Sequence, residues 1–169
     1  MILTRERILA EVDAGNVAID PYDESMVGPA SIDLHLGDEL RLLDSGDGPL
    51  DVRDDTDYRD VSQVCSLATP YGLAPQATVL GVTRERIKLS SEICGWLEGR
   101  SRFARLGLAI HVTAGFINPG VENHQVLEIS NLSGRVLNLH AGTRICQIIL
   151  QRTDGSAVYR GRFASQNRP

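Results

Sequence analysis

Short apolar runs, several alternating with period two, recur from residue 66 onward and constrain this chain most. They fall at 77–82, 107–112, 125–129, 136–139 and 145–150. Pro119-Gly120, Ser133-Gly134 and Ala141-Gly142 punctuate them. Side chains alternate across a strand, so such runs predict strands with one face in a core. Many short strands separated by Gly and Pro predict a barrel or sandwich. The same grammar appears earlier, at 31–36 and 40–42. Ahead of it, Thr4 can cap a short helix whose Ile8, Leu9 and Val12 share a face and which Gly15 can end. A second short helix fits 90–98. With 169 residues, no linker and no repeat, one domain over 1–169 is expected.

Several classes of protein are excluded. No apolar run approaches the roughly 20 residues of a membrane span. No basic leader runs into an apolar core at the N-terminus, so a cytoplasmic protein without membrane partners is expected. The net charge of −5 argues against nucleic acid as a partner. Of 17 basic residues only Lys88 is Lys, which reflects either codon bias or oxyanion recognition by guanidinium groups. Cys65, Cys94 and Cys146 are odd in number and widely spaced, and read as buried apolar residues rather than a disulfide framework. There is no P-loop, no strand-linked G-x-G-x-x-G, no G-x-S-x-G elbow, and neither half of the zinc deaminase signature.

Residues 43–62 break the strand grammar. Asp44, Asp47, Asp51, Asp54, Asp55, Asp57 and Asp60 sit among few apolar residues, as in a long solvated excursion. A metal site is the other reading, but the D-x-D-x-D-G spacing of a calcium loop is missing.

Any chemistry must come from a few polar side chains gathered by the β framework. The densest cluster is Arg100-Ser101-Arg102-Phe103-Ala104-Arg105, between two apolar runs. In a turn or at a short helix start, its guanidinium and backbone N–H groups could converge on phosphates; surface Arg beside a strand is the plainer reading. Next comes His111-Val112-Thr113-Ala114-Gly115-Phe116-Ile117-Asn118-Pro119-Gly120, a strand entering a turn. Then Val126-Leu127-Glu128 places a carboxylate in an apolar strand, on the face of Val126 and Ser130. Glu128 faces either solvent or a pocket, where it could serve as a general base.

Taken together these motifs resemble the dCTP deaminases of the trimeric dUTPase-like superfamily. Leu3-Thr4-Arg5-Glu6-Arg7-Ile8, Ile19-Asp20-Pro21, Pro29-Ala30-Ser31-Ile32-Asp33-Leu34 and Gly142-Thr143-Arg144-Ile145-Cys146-Gln147-Ile148 fit the same family. The resemblance covers nearly the whole chain. It implies a mainly β fold, a distorted β-barrel with a short N-terminal helix, assembled as a homotrimer with active sites between subunits. It implies hydrolytic deamination of dCTP to dUTP, or on to dUMP, without zinc and with Mg²⁺ carried by the triphosphate. Glu128 then looks like the base that activates the water attacking C4. Ser101 and Arg105 look like the groups that hold that water and the leaving amine. Arg100 would order the site or meet the phosphates across the interface, and Arg102 would add charge near them. Backbone near Val112 and Ala114 would read the base edge, and His111, Asn118, Val126 and Leu127 would also contact the substrate. Tyr159, Arg162 and Gln166 resemble the family's phosphate-covering tail, with Arg162 where the family has Lys.

Three departures bear on activity. Asn118 stands where the family has Asp, and an amide cannot act as a base. Arg102 replaces a Ser, and Phe163 stands where Tyr is usual. Gly115, in Thr113-Ala114-Gly115, resembles instead the bifunctional members that form dUMP. The alternatives are a dUTP diphosphatase and a non-catalytic nucleotide-binding trimer.

Overall fold

The computed structural model describes residues 1–43, 46, 48–111 and 113–169. Among the described residues the first element is α1 (Arg5–Asp13), followed by eleven strands: β1 (Val17–Asp20), β2 (Ile32–Leu43), β3 (Ser62–Ser66), β4 (Tyr71–Leu73), β5 (Thr78–Leu89), β6 (Ile93–Gly99), β7 (Leu108–Ile110), β8 (Phe116–Ile117), β9 (Glu122–Asn131), β10 (Leu137–Leu139) and β11 (Arg144–Arg152). A single helical turn, α2 (Ser101–Ala104), separates β6 from β7. No helix among the described residues is long and apolar enough to cross a membrane.

The strands form a nine-stranded sheet in the order β7-β9-β5-β2-β11-β6-β8, with β1 added on β5 and β3 on β2. A two-stranded β10–β4 ribbon stands apart. Every ladder among the described residues is antiparallel, and most pair strands far apart in sequence. The sheet curls because its two longest strands change partners along their length. β2 pairs with β11 over 32–35 but with β3 and β5 further on. β5 pairs with β9 throughout, and its end at 86–89 also takes β1. The result is the expected mainly β, distorted barrel with one short N-terminal helix.

The core lies inside the curl. Ile32, Leu34, Leu36 and Leu40 of β2, Ile87 of β5, Leu127 and Ile129 of β9 and Ile148 of β11 are fully buried. Period-two alternation is strict in β9, where every second residue from Asn123 to Asn131 is buried. The bulge in β5 between Val82 and Arg86 would leave ladder groups unpaired. Side chains complete it: Thr83 Oγ1 donates to the Glu85 carbonyl and accepts from Gln125 N. The buried Glu85 carboxylate accepts from His35 N (2.9 Å) and from His35 Nδ1 (2.6 Å).

Two local expectations are corrected. Residues 90–98 are not helical: Ser90 leads into β6, which pairs with β11 over seven residues. Gly95 fits there because a Cβ would sit 2.6 Å from the Ile149 carbonyl oxygen. A long partner strand and this close approach override the short helical reading. Thr4 does occupy the N-cap of α1, but its side chain makes no capping bond. Arg5 N donates instead to Pro29 O, and Gly15 follows the C-cap with φ +71° as expected. Cys94 and Cys146 are buried and Cys65 half-buried, all three as free thiols. Burial pushes all three thiols up. Of the acidic excursion, Asp44 and Asp47 lie outside the described residues. Its described residues are largely exposed and contain a 3-10 turn (Tyr58–Val61). Among the described residues no three His, Cys, Asp or Glu converge as a metal site would require.

Candidate active site

A cavity of about 360 Å³ opens between β9, the 111–121 turn and the chain's last segment. Glu128 reaches it because its strand alternates: Leu127 and Ile129 fill the core, so Val126 and Glu128 face outward into the cavity. Its cross-strand neighbour Leu80 supplies an apolar wall. Thr113 holds the carboxylate. The Thr113 N–H donates to Oε2 at 2.7 Å, and the hydroxyl lies 2.7 Å from Oε1 and 2.8 Å from Oε2. Two donors fix the orientation of the carboxylate and leave lone pairs on both oxygens for a further partner.

The segment carrying Thr113 is itself anchored. His111 adopts φ +62°, which an L side chain rarely does, and its N–H donates to Glu128 O. Its Nε2 donates to Ala114 O at 2.9 Å. Its Nδ1 is then a buried acceptor without a partner among the described residues. Gly115 O accepts from Leu97 N at 2.8 Å, and a Cβ on Gly115 would meet the Leu97 carbonyl at 3.1 Å. The turn therefore lies close along β6 because residue 115 has no side chain. Phe116 continues the cavity wall and packs against Trp96, with ring centroids 5.7 Å apart.

The last segment closes the cavity. Tyr159 N donates to Pro119 O, Asn123 Nδ2 to Phe163 O and Gln166 Nε2 to His124 O. Gly120 permits this crossing: its φ is +70°, and a Cβ would sit 2.9 Å from Val158 Cα. Asn123 and Gln125 also line the cavity, joined by a short hydrogen bond from Gln125 Nε2 to Asn123 Oδ1. Sequence reasoning missed both. Their signal was two amides at inward positions of an alternating strand, where burial demands partners.

The structure gathers Glu128, His111, Ala114, Asn118, Val126, Tyr159 and Gln166 around one cavity. It does not bring all expected residues there. Leu127 points into the core with no exposed surface, since it alternates with Glu128. Val112 lies outside the described residues. Arg100, Ser101 and Arg102 line a different cavity, with Ser31, Asp33 and Gln147. Arg100 is held there by Asp33 (3.1 Å) and by donating to Arg144 O (2.9 Å). Arg105 caps α2 and borders neither cavity. Arg162 lies beside the Glu128 cavity and pairs with Asp57 at 2.8 Å.

Curled antiparallel sheet, strand-borne carboxylate and overlying tail define a distorted barrel of the dUTPase-like kind. The solved structure of 2'-deoxycytidine 5'-triphosphate deaminase from Agrobacterium tumefaciens superposes with a TM-score of 0.71 at 21% identity, covering 90% of this chain and 48% of that one. This chain thus spans about half of that protein. The dUTPase of phage phi11 of S. aureus superposes with a TM-score of 0.51 at 13% identity, covering 86% of this chain and 96% of that one. A family model described as dCTP deaminase-like matches residues 2–153, and the chain belongs to that family. A protein of Streptomyces avermitilis named dCTP deaminase, dUMP-forming, is 38% identical over 178 residues, covering 100% of this chain and 93% of its own. One of Clavibacter michiganensis with the same name is 38% identical over 177 residues, covering 100% and 88%.

Proposed function

We propose that the protein hydrolytically deaminates dCTP. The observation that carries this is the Glu128 carboxylate, fixed by two Thr113 donors in a cavity with apolar walls and a few amide groups. Glu128 takes a proton from a water as its oxygen adds to C4 of the cytosine, and returns a proton to the departing amine. One water is consumed and one ammonia released, giving dUTP. Asn118, Asn123 and Gln125 offer neutral donors and acceptors to the nucleoside, and Tyr159 and Gln166 cover it.

Ser101 and Arg105 act on the same substrate from a neighbouring subunit. Two features support a homotrimer with sites between subunits. Ser101 borders a different cavity from Glu128 and Arg105 borders neither, and exposed apolar side chains follow α2. Leu106, Leu132 and Val136 are 60%, 74% and 59% exposed, gathered where Leu132 N donates to Gly107 O. Mg²⁺ comes with the substrate, on its phosphate oxygens; the base chemistry uses no zinc. A cytoplasmic place suits a nucleotide substrate.

A second reading, in which the product goes on to dUMP, is favoured by the names of the curated relatives and by Gly115. Asn118 bears on that step, since it can orient a water but not deprotonate it. Anion-exchange analysis after incubation with dCTP and Mg²⁺ decides, with dUTP as a parallel substrate. dUTP or dUMP from dCTP establishes deamination. Conversion of dUTP alone would make the protein a diphosphatase, and no change in either would make it a binding protein.

A further inference from the structure

A second cavity, of about 390 Å³, adjoins the Glu128 cavity and shares Tyr58, Phe163 and Gln166 with it. Four guanidinium groups line it: Arg41, Arg59, Arg162 and Arg168. They come from three separate stretches of chain: β2, the 57–59 turn of the acidic excursion, and the last segment. Asp57 pairs with two of them, Arg59 and Arg162. Its Oδ1 accepts from Arg59 Nε at 2.9 Å, and its Oδ2 accepts from Arg59 Nη2 and, at 2.8 Å, from Arg162 Nη2. Arg168 is held by Glu39, and Arg41 stacks over the Tyr58 ring while donating to Pro169 O.

A carboxylate gripped by two guanidinium groups has the geometry in which those groups grip a phosphate. We propose that Asp57 is a built-in stand-in for the terminal phosphates of the nucleotide, and that Arg59 is a further phosphate ligand. The inference rests on the nucleotide-triphosphate reading above and deepens it. A polyphosphate entering from the Glu128 cavity displaces the Asp57 carboxylate and takes over Arg162 and Arg59. It offers more oxygens and more charge than one carboxylate, so the exchange favours it. A nucleoside or monophosphate brings too little charge this far, and Arg162 stays on Asp57. Asp57 thereby selects for phosphate chain length and ties closure of the last segment to it. Hydrogen bonds from Arg59 hold the Asp57 carboxyl well below the usual carboxylate range. A competing anion, not a physiological pH change, is therefore what releases it.

The test measures binding of inorganic tripolyphosphate to the full-length protein by calorimetry, with the fluorescence of Trp96, the single Trp, as a second reporter. Asp57→Asn keeps the shape and removes the competitor, so tripolyphosphate binds about three- to five-fold tighter, the range expected of an exposed pair. Arg59→Gln binds it more weakly, while its binding of uncharged 2'-deoxycytidine is unchanged. Weaker or unchanged tripolyphosphate binding in Asp57→Asn overturns the proposal, as does unchanged binding in Arg59→Gln; the second variant decides alone if the first does not fold. The readout is independent of turnover. Wild-type protein that binds tripolyphosphate with the expected shifts but leaves dCTP intact refutes the enzymatic reading and keeps the anion exchange. Turnover of dCTP without the shifts does the reverse.

Discussion

Thr113 grips the Glu128 carboxylate with both its backbone N–H and its hydroxyl, at 2.7 Å each. The two roles can be separated. Glu128→Gln keeps the shape but removes the base, and turnover of dCTP should fall by about 10²–10⁴-fold. Thr113→Val removes the hydroxyl alone, while the N–H to Oε2 remains. One lost hydrogen bond of about 1 kcal/mol predicts roughly a five-fold loss, in kcat rather than KM. Steady-state kinetics on both variants check this. Equal losses would mean that the hydroxyl itself takes part in proton transfer.

Ser101 lies on α2 and Glu128 in another cavity of the same protomer. If one active site draws on two subunits, two inactive variants must rescue each other. Glu128→Gln and Ser101→Ala proteins, mixed under conditions that exchange subunits, then regenerate intact sites. With random mixing of equal amounts, roughly one site in four is intact. Activity of the mixture against that of each parent is the measurement. No rescue despite proven exchange would place both residues in one protomer's site, or Ser101 outside it.

How far the sequence reached depends on how local each signal is. The strands at 31–36, 125–129 and 145–150 were legible because alternation is a nearest-neighbour property. So was the face of Glu128, since burial of Leu127 and Ile129 forces it outward. β6 was misread because 90–98 also fits a short helix, while its partner β11 lies about fifty residues away. Asp57 and Arg162 are 105 residues apart, and no local pattern pairs them. The acidic excursion therefore looked only solvated. The tail was legible through family resemblance alone, because its anchors at Pro119, Asn123, His124, Asp57 and Glu39 lie far from it in sequence.

Gly120 offers a way to lift the tail without touching its polar groups. Alanine there meets two obstacles, a left-handed φ of +70° and Val158 Cα at 2.9 Å. Gly142 has φ +74° but nothing within 4 Å, so Gly142→Ala carries the strain alone. Both variants should lose about 1 kcal/mol of stability from the backbone. Only Gly120→Ala should also raise the KM for dCTP and speed tryptic cleavage after Arg160 and Arg162. Parallel melting curves and digestion time courses separate the two effects. Equal digestion rates would show that Val158 is not where the tail is held.

Stability in acid should track Glu11, which is buried on α1 at 3% exposure. Burial pushes its carboxyl up, but hydrogen bonds from Asn16 (2.8 Å) and Arg152 (2.5 Å) outweigh that and leave it lowered. Arg152 ends β11, so this pair ties the helix to the barrel. A carboxyl lowered by folding is protonated more readily in the unfolded chain. Its stabilisation is therefore complete above the unfolded value near 4.3 and disappears as pH falls through the lower, folded value. The wild type should lose melting temperature steadily below about pH 4.5. Glu11→Gln keeps the shape, has no proton to gain, and should start lower at pH 7 but fall less steeply in acid. Melting curves from pH 7 to pH 3 on both proteins make the comparison. Parallel curves would mean that other carboxylates set the acid limit and that the Glu11–Arg152 pair adds nothing to it.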